Sequence, residues 1–169
     1  MRKHLGIAVV LLSQVGILVS IPLRTVRTLI GGTEIALETE PVDPFDPLSG
    51  YYVTLAYVAE RPRDDAISFR MDEALWVTVE RAEPAWTPVS VTRSRPAPHP
   101  DRVSIPGRWD GRRARIEAAS RFFIPEERRE EIENLLNAAN RHGIVDLRVG
   151  RDGTPALLRL RVGGRSFGR

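Results

Sequence analysis

The run LGIAVVLLSQVGILVSIPL, from Leu5 to Leu23, holds no charged side chain and constrains this chain more than any other feature. As a helix it covers about 28 Å at 1.5 Å per residue, close to the hydrocarbon thickness of a bilayer. Three readings compete for it: a helix buried in a soluble core, a cleaved signal peptide, or an uncleaved anchor. A soluble helix normally shows a polar face, whereas only Ser13, Gln14 and Ser20 interrupt this run. Cleavage needs small residues in an A-x-A-like arrangement, which Leu18-Val19-Ser20 fits poorly. Residues 1–23 are therefore expected to form a cytoplasmic tip and single-pass transmembrane anchor, residues 24–32 a linker, and residues 33–169 one domain. Arg2, Lys3 and the terminal amine precede the run, and Arg24 and Arg27 follow it. That balance tips the positive-inside rule toward a cytoplasmic amino terminus and a domain on the extracytoplasmic, periplasmic face.

A length of 169 residues with 42% hydrophobic composition suffices for one domain with a real core beyond that segment. The 25 basic side chains outnumber the 22 acidic ones, but setting Arg2 and Lys3 aside leaves 23 against 22. So even a balance gives no reason to expect a nucleic-acid partner. Cysteine is absent, which removes disulfides, thiolate nucleophiles and zinc knuckles.

Beyond the linker the chain reads mostly in period two. TEIALET alternates Ile35 and Leu37 with Glu34 and Glu38, as a half-buried strand does. LWVTVE sets Leu75, Val77 and Val79 opposite Trp76, Thr78 and Glu80, while VDLRV and LRLRV alternate apolar residues with Asp146, Arg148, Arg159 and Arg161. Between those two runs, GRDGTP offers Asp152-Gly153 for a tight hairpin at the carboxyl end. One segment breaks the pattern: Ile132, Leu135, Leu136 and Ala139 fall at i, i+3, i+4 and i+7, one stripe of an amphipathic helix near 125–141. Pro125 suits its first position, Glu126 and Glu127 suit the positive end of its dipole, and Gly143 can close it. The four prolines of TRSRPAPHPDRVSIPG predict an exposed loop rather than a central strand. These elements predict a mainly β (α+β) domain, a small barrel or sandwich with one helix.

In GYYVTLAY, Gly50 can make a sharp opening turn, after which Tyr51, Val53, Leu55 and Tyr57 point one way and Tyr52, Thr54, Ala56 and Val58 the other. With both faces largely apolar, this reads as a central strand covered on both sides. The functional alternative has two tyrosine hydroxyls, or Tyr52 with the preceding Asp43 and Asp46, line a pocket. The longer stretch PVDPFDPLSGYYVTLAY resembles the signature of the bacterial membrane-protein family named after the motif GDYXXLXY. RFFIPEE is similar to that family's aromatic segment ending in Pro-Glu, and VGRDGTPALLRLRVGG to its closing hairpin. Matched by position, the motif residues are Gly50, Tyr52, Leu55 and Tyr57, with Asp43 in the lead and Glu126 after Pro125. Tyr51 stands where the family has aspartate, a departure that weakens an enzyme reading. The resemblance implies a membrane-attached envelope protein and supplies no reaction.

The inventory of reactive groups points the same way. Lys3 is the only lysine and precedes the anchor, so the domain can host neither a Ser-Lys dyad nor a P-loop. A catalytic triad would depend on His99, in the proline-rich loop, or on His142, at a helix end, and both read as surface histidines. Without an H-E-x-x-H pattern they argue against zinc, and no cofactor or metal is expected. Asp43 with Asp46, or Asp64 with Asp65, could form a hydrolytic carboxylate pair, although the prolines around the first pair favour turn chemistry. Two functions of different class follow. One is a non-catalytic binding or accessory module, tethered to the lipid bilayer through residues 5–23 and supporting an envelope protein partner. The other is a carboxylate-dependent hydrolase with its site near residues 43–57.

Overall fold

The computed structural model describes residues 2–40, 52–61, 68–123, 126–138 and 142–168. Among the described residues a helix, α1 (Arg2–Gly31), leads into ten strands: β1 (Thr33–Glu38), β2 (Tyr52–Thr54), β3 (Ala74–Glu80), β4 (Thr87–Thr92), β5 (Arg102–Trp109), β6 (Ala114–Arg115), β7 (Arg121–Phe123), β8 (Ile144–Val149), β9 (Pro155–Val162) and β10 (Arg165–Gly168). A second helix, α2 (Arg129–Ala138), follows β7 after a 3-10 turn, Glu126–Arg128. Two open four-stranded sheets carry the domain, one ordered β1-β8-β9-β10 and the other β4-β3-β5-β6, while β2 and β7 form a short pair. The chain is mainly β, and a single core drawn from both larger sheets makes it sandwich-like.

The alternations predicted from the sequence are the inward faces of these sheets. Ile35 and Leu37 on β1, Leu75, Val77 and Val79 on β3, and Val145, Leu147 and Val149 on β8 are all buried. The hairpin expected at Asp152-Gly153 joins β8 to β9, with Gly153 at φ +88°. Asp152 orders it by accepting from the Thr154 N–H at 3.0 Å and from its hydroxyl at 2.8 Å, a local side-chain turn. The tip of this hairpin rests on the other sheet: Arg95 donates to the Arg151 carbonyl and lays its guanidinium 5.0 Å from the Trp76 ring centroid. At a second tie, the Trp86 N–H donates to the Ala36 carbonyl at 2.8 Å, so the β3–β4 connection covers the free edge of β1.

Two expectations are corrected, and a third is not met among the described residues. The proline-rich stretch is an exposed loop only as far as Asp101; from Arg102 it is β5, which pairs with β3 from Ala74↔Arg108 to Glu80↔Arg102. Pro106 is tolerated because β6 reaches only Arg108 and Trp109, leaving an edge beside the proline where no N–H is needed. The residues expected as a linker continue α1 to Gly31. Its end is seated on the β8–β9 hairpin, with Thr28 buried and the Arg148 guanidinium on the Leu29 carbonyl, a cation placed at the negative end of the helix. The expected transmembrane segment is helical, yet among the described residues no helix is long and apolar enough to cross a membrane.

The predicted amphipathic helix is present as the turn at Glu126 and α2, with Ile132 buried and Leu135 half-buried. Pro125, residues 139–141 and the side chain of Leu136 lie outside the described residues.

Candidate functional site

The segment from Tyr52 to Glu60 threads between two parts of the chain that are distant in sequence. On one side β2 pairs with β7, matching Tyr52 to Phe123 and Thr54 to Arg121, and the Leu55 N–H donates to the Ser120 carbonyl at 2.7 Å. On the other side Tyr57 bridges Thr39, and the Glu40 N–H donates to the Ala56 carbonyl at 2.8 Å. Of the run expected as a strand covered on both sides, Leu55, Ala56 and Tyr57 are buried and Thr54 and Val58 half-buried. Among the described residues only Tyr52–Thr54 forms a ladder, after which the chain closes a 3-10 turn at Val58–Glu60 with the Glu60 N–H on the Tyr57 carbonyl.

Tyr57 is 0% exposed and its hydroxyl donates to the Ala119 carbonyl at 2.7 Å, so the polar end of a buried aromatic is satisfied by backbone. Burial, then the neighbouring Glu60 charge, pushes the phenol up from its ordinary range and keeps it a donor. Glu60, 1% exposed, lies under it: Oε1 accepts from the Ile116 N–H at 2.9 Å and Oε2 from the Tyr57 N–H at 3.4 Å. Burial pushes this carboxyl up to about 7 against the opposing pull of those two N–H groups and of Arg113. The Arg113 guanidinium stands 3.9 Å from Glu60 and 3.4 Å from Glu40, which also holds Arg61 at 2.5 Å. At the far end of the same bridge Thr39 Oγ1 accepts from the Gly143 N–H at 2.8 Å and donates to the Gly143 carbonyl at 3.1 Å.

Of the residues singled out from the sequence, the structure brings Leu55 and Tyr57 together in the core. Tyr52 is placed by its backbone in β2, and Glu126 opens the turn before α2; their side chains, like Asp43, Asp46 and Gly50 entirely, lie outside the described residues. Asp64 and Asp65 do so too. His99 and His142 are exposed, the latter 3.6 Å from Glu38. Glu60 and its neighbours Glu40 and Arg113 were missed. The one available signal was an acid closing the apolar run LAYVAE, and nothing local told it from a surface acid.

A carboxyl that holds its proton near neutrality can serve as a general acid. Here, however, it is walled in by Tyr57 and backbone. Two cavities of about 710 Å³ and 410 Å³ open elsewhere: the first beside His142, Glu38 and the β9–β10 turn, the second between α1 and β9. Neither is lined by Tyr57 or Glu60. Among the described residues no group of three His, Asp or Glu side chains is placed to hold a metal ion.

Fold and site together define a β-rich domain behind a helix, organised around a buried tyrosine–carboxylate pair. The model of the family described as GDYXXLXY protein matches residues 14–160, and the chain belongs to that family. No curated protein and no solved structure matches it.

Proposed function

We propose that the protein is a membrane-tethered module of the cell envelope, held in the bilayer through residues 5–23 with its domain on the periplasmic face. In this reading it acts by binding an envelope protein rather than by catalysis. The observation that carries the tether is the apolar surface of α1: Leu11, Leu12, Val15 and Leu18 are all exposed, Leu12 at 71% and Leu18 at 69%. Moving four such side chains from water into hydrocarbon is worth roughly 6–12 kcal/mol at about 1.5–3 kcal/mol each. The accessory role is supported by where the family motif goes, since Leu55 and Tyr57 are spent on packing and on a backbone hydrogen bond rather than on an open cleft.

Fractionation tests the tether. The intact chain is expected to stay with membranes through an alkaline wash and to leave them only with detergent; uncut chain in the soluble fraction after gentle lysis refutes it. A reporter enzyme that works only in the cytoplasm, fused at the carboxyl terminus, should be silent. The hydrolase alternative rests on the carboxylates Asp43 and Asp46 ahead of the motif, with the raised carboxyl of Glu60 buried three residues beyond it. Hydrolysis of a model ester or glycoside that disappears in Asp43→Asn or Asp46→Asn with unchanged melting would favour it over the binding module.

A further inference from the structure

The cavity of about 710 Å³ opens beside β10, the last strand of its sheet. The two larger sheets present four edges, and three of them are blunted. β1 is covered at Ala36 by the Trp86 N–H, β4 carries Pro88 beside a register shift, and β6 is only two residues long. β10 has no proline, no register shift and, among the described residues, no neighbour beyond β9. Gly163 and Gly164, at φ +56° and +79°, make the two-residue turn before it, closed by the pair Val162↔Arg165. Ladder bonds to β9 therefore fall at Arg165 and Phe167, and Ser166 and Gly168 turn their N–H and C=O groups outward. Both are exposed, and among the described residues neither has another backbone partner.

Ser166 also lines the cavity, and the charges around it define what the cavity lacks. Arg161 and Arg165 contribute the cations, but Asp146 holds the first at 2.7 Å and Glu131 holds the second. Glu38, at the end of β1, and Glu83, between β3 and β4, contribute the acids. His142, 3.6 Å from Glu38, counters it only when protonated. Glu83 is exposed and, among the described residues, makes no hydrogen bond or ion pair. The uncompensated charge is negative, and it shares one cavity with unused backbone donors and acceptors.

We propose that β10 accepts an extended, basic segment of the envelope partner as a fifth strand of its sheet. The backbone of that segment pairs with Ser166 and Gly168, and an arginine or lysine side chain enters the cavity toward Glu83. Backbone pairing gives such a complex its affinity, and the alternate side chains give it selectivity. The proposal rests on the protein being a binding module and is independent of the tether.

The test uses the full chain in detergent and a short fluorescent peptide of alternating threonine and valine with arginine at its centre. Anisotropy should show saturable binding, about fivefold weaker when glutamine replaces the arginine, the ratio one exposed ion pair allows. Glu83→Gln should erase that difference. Ser166→Pro removes an outward N–H and leaves the ladder bonds of Arg165 and Phe167, so it should abolish binding of both peptides and melt as wild type does. Blocking the peptide's own N–H groups by N-methylation should abolish binding to wild type, with no variant involved. Tighter binding of a glutamate-centred peptide, unchanged binding by Ser166→Pro, or full binding of the N-methylated peptide would each overturn the edge site. Self-association of the chain that Ser166→Pro abolishes would overturn it in favour of a second copy. Crosslinking in intact membranes separates the site from the reading beneath it. A partner captured equally by wild type and Ser166→Pro overturns the edge site and leaves the binding module standing, whereas capture of no partner overturns both.

Discussion

The hydroxyl of Tyr57 donates to the carbonyl oxygen of Ala119 at 2.7 Å, joining residues 62 positions apart inside the core. This bond closes the short segment that ties β1 to β7. Tyr57→Phe keeps the ring and strands a buried carbonyl, which costs about 1–3 kcal/mol. The midpoint of denaturant unfolding should fall by that amount with its slope unchanged. Loss of membrane association or partner capture with unaltered melting would instead place the residue in a binding site.

Glu60 makes stability depend on pH in an unusual direction for an acid. Its folded carboxyl, at about 7, lies above the ordinary value of 4.5, so between those limits the folded chain holds a proton that the unfolded chain has released. The group's contribution is full below about pH 4.5 and is lost as pH rises toward 7, a swing of about 3 kcal/mol. Wild type should therefore lose stability from pH 5 to pH 8 relative to Glu60→Gln, whose side chain cannot ionise. Parallel pH profiles of the two chains would show that Glu60 is charged throughout.

Strand alternation was legible because each run faces the core with one side only. Leu75, Val77 and Val79 needed no knowledge of their partners to be assigned inward. The hairpin was legible through Asp152 and Gly153, whose local chemistry makes the turn. What escaped were features set by distant contacts. Asp146 reads as an outward polar residue of β8, yet it is 4% exposed because Arg159 and Arg161 of β9 cover it at 2.5 Å and 2.7 Å. β5 escaped because proline signals a break, and only the pairing with β6 reveals that Pro106 sits on an edge. Residues 24–31 looked like a linker because what holds them is Arg148, more than a hundred positions away. Glu60 was hidden for the same reason, since its partner Ile116 is 56 positions distant.

Thr39 and Gly143 offer a second measure of long-range closure. The threonine hydroxyl both accepts from and donates to the backbone of Gly143, while the Thr39 N–H donates to the same carbonyl at 2.8 Å. Thr39→Val conserves shape but leaves the buried Gly143 N–H unpaired, at a cost of about 1–3 kcal/mol. Thr39→Ser keeps both bonds and should recover most of it. A Thr39→Val chain that melts above Thr39→Ser would mean that packing of the methyl group, not the hydroxyl, holds the bridge.

Gly153 carries the contact between hairpin and opposite sheet, and its requirement for glycine has two independent origins. At φ +88° a side chain is strained whatever the space around it. A Cβ would also stand 2.7 Å from Trp76 Cζ3, 3.0 Å from Pro106 Cδ and 3.1 Å from the Ser104 carbonyl oxygen. The ring cannot give way easily, because the Arg95 guanidinium covers it and is itself held by the hairpin through the Arg151 carbonyl. Gly153→Ala is therefore expected to cost about 2 kcal/mol or more and to shift the tryptophan fluorescence as the tip lifts from Trp76. Asp152→Ala, which loses the exposed bonds to Thr154, should cost less than Gly153→Ala, about 1 kcal/mol. If the two variants unfold at the same midpoint, the hairpin does not bear on the second sheet in solution, and the two sheets are joined by other contacts, the core and the Trp86–Ala36 bond among them.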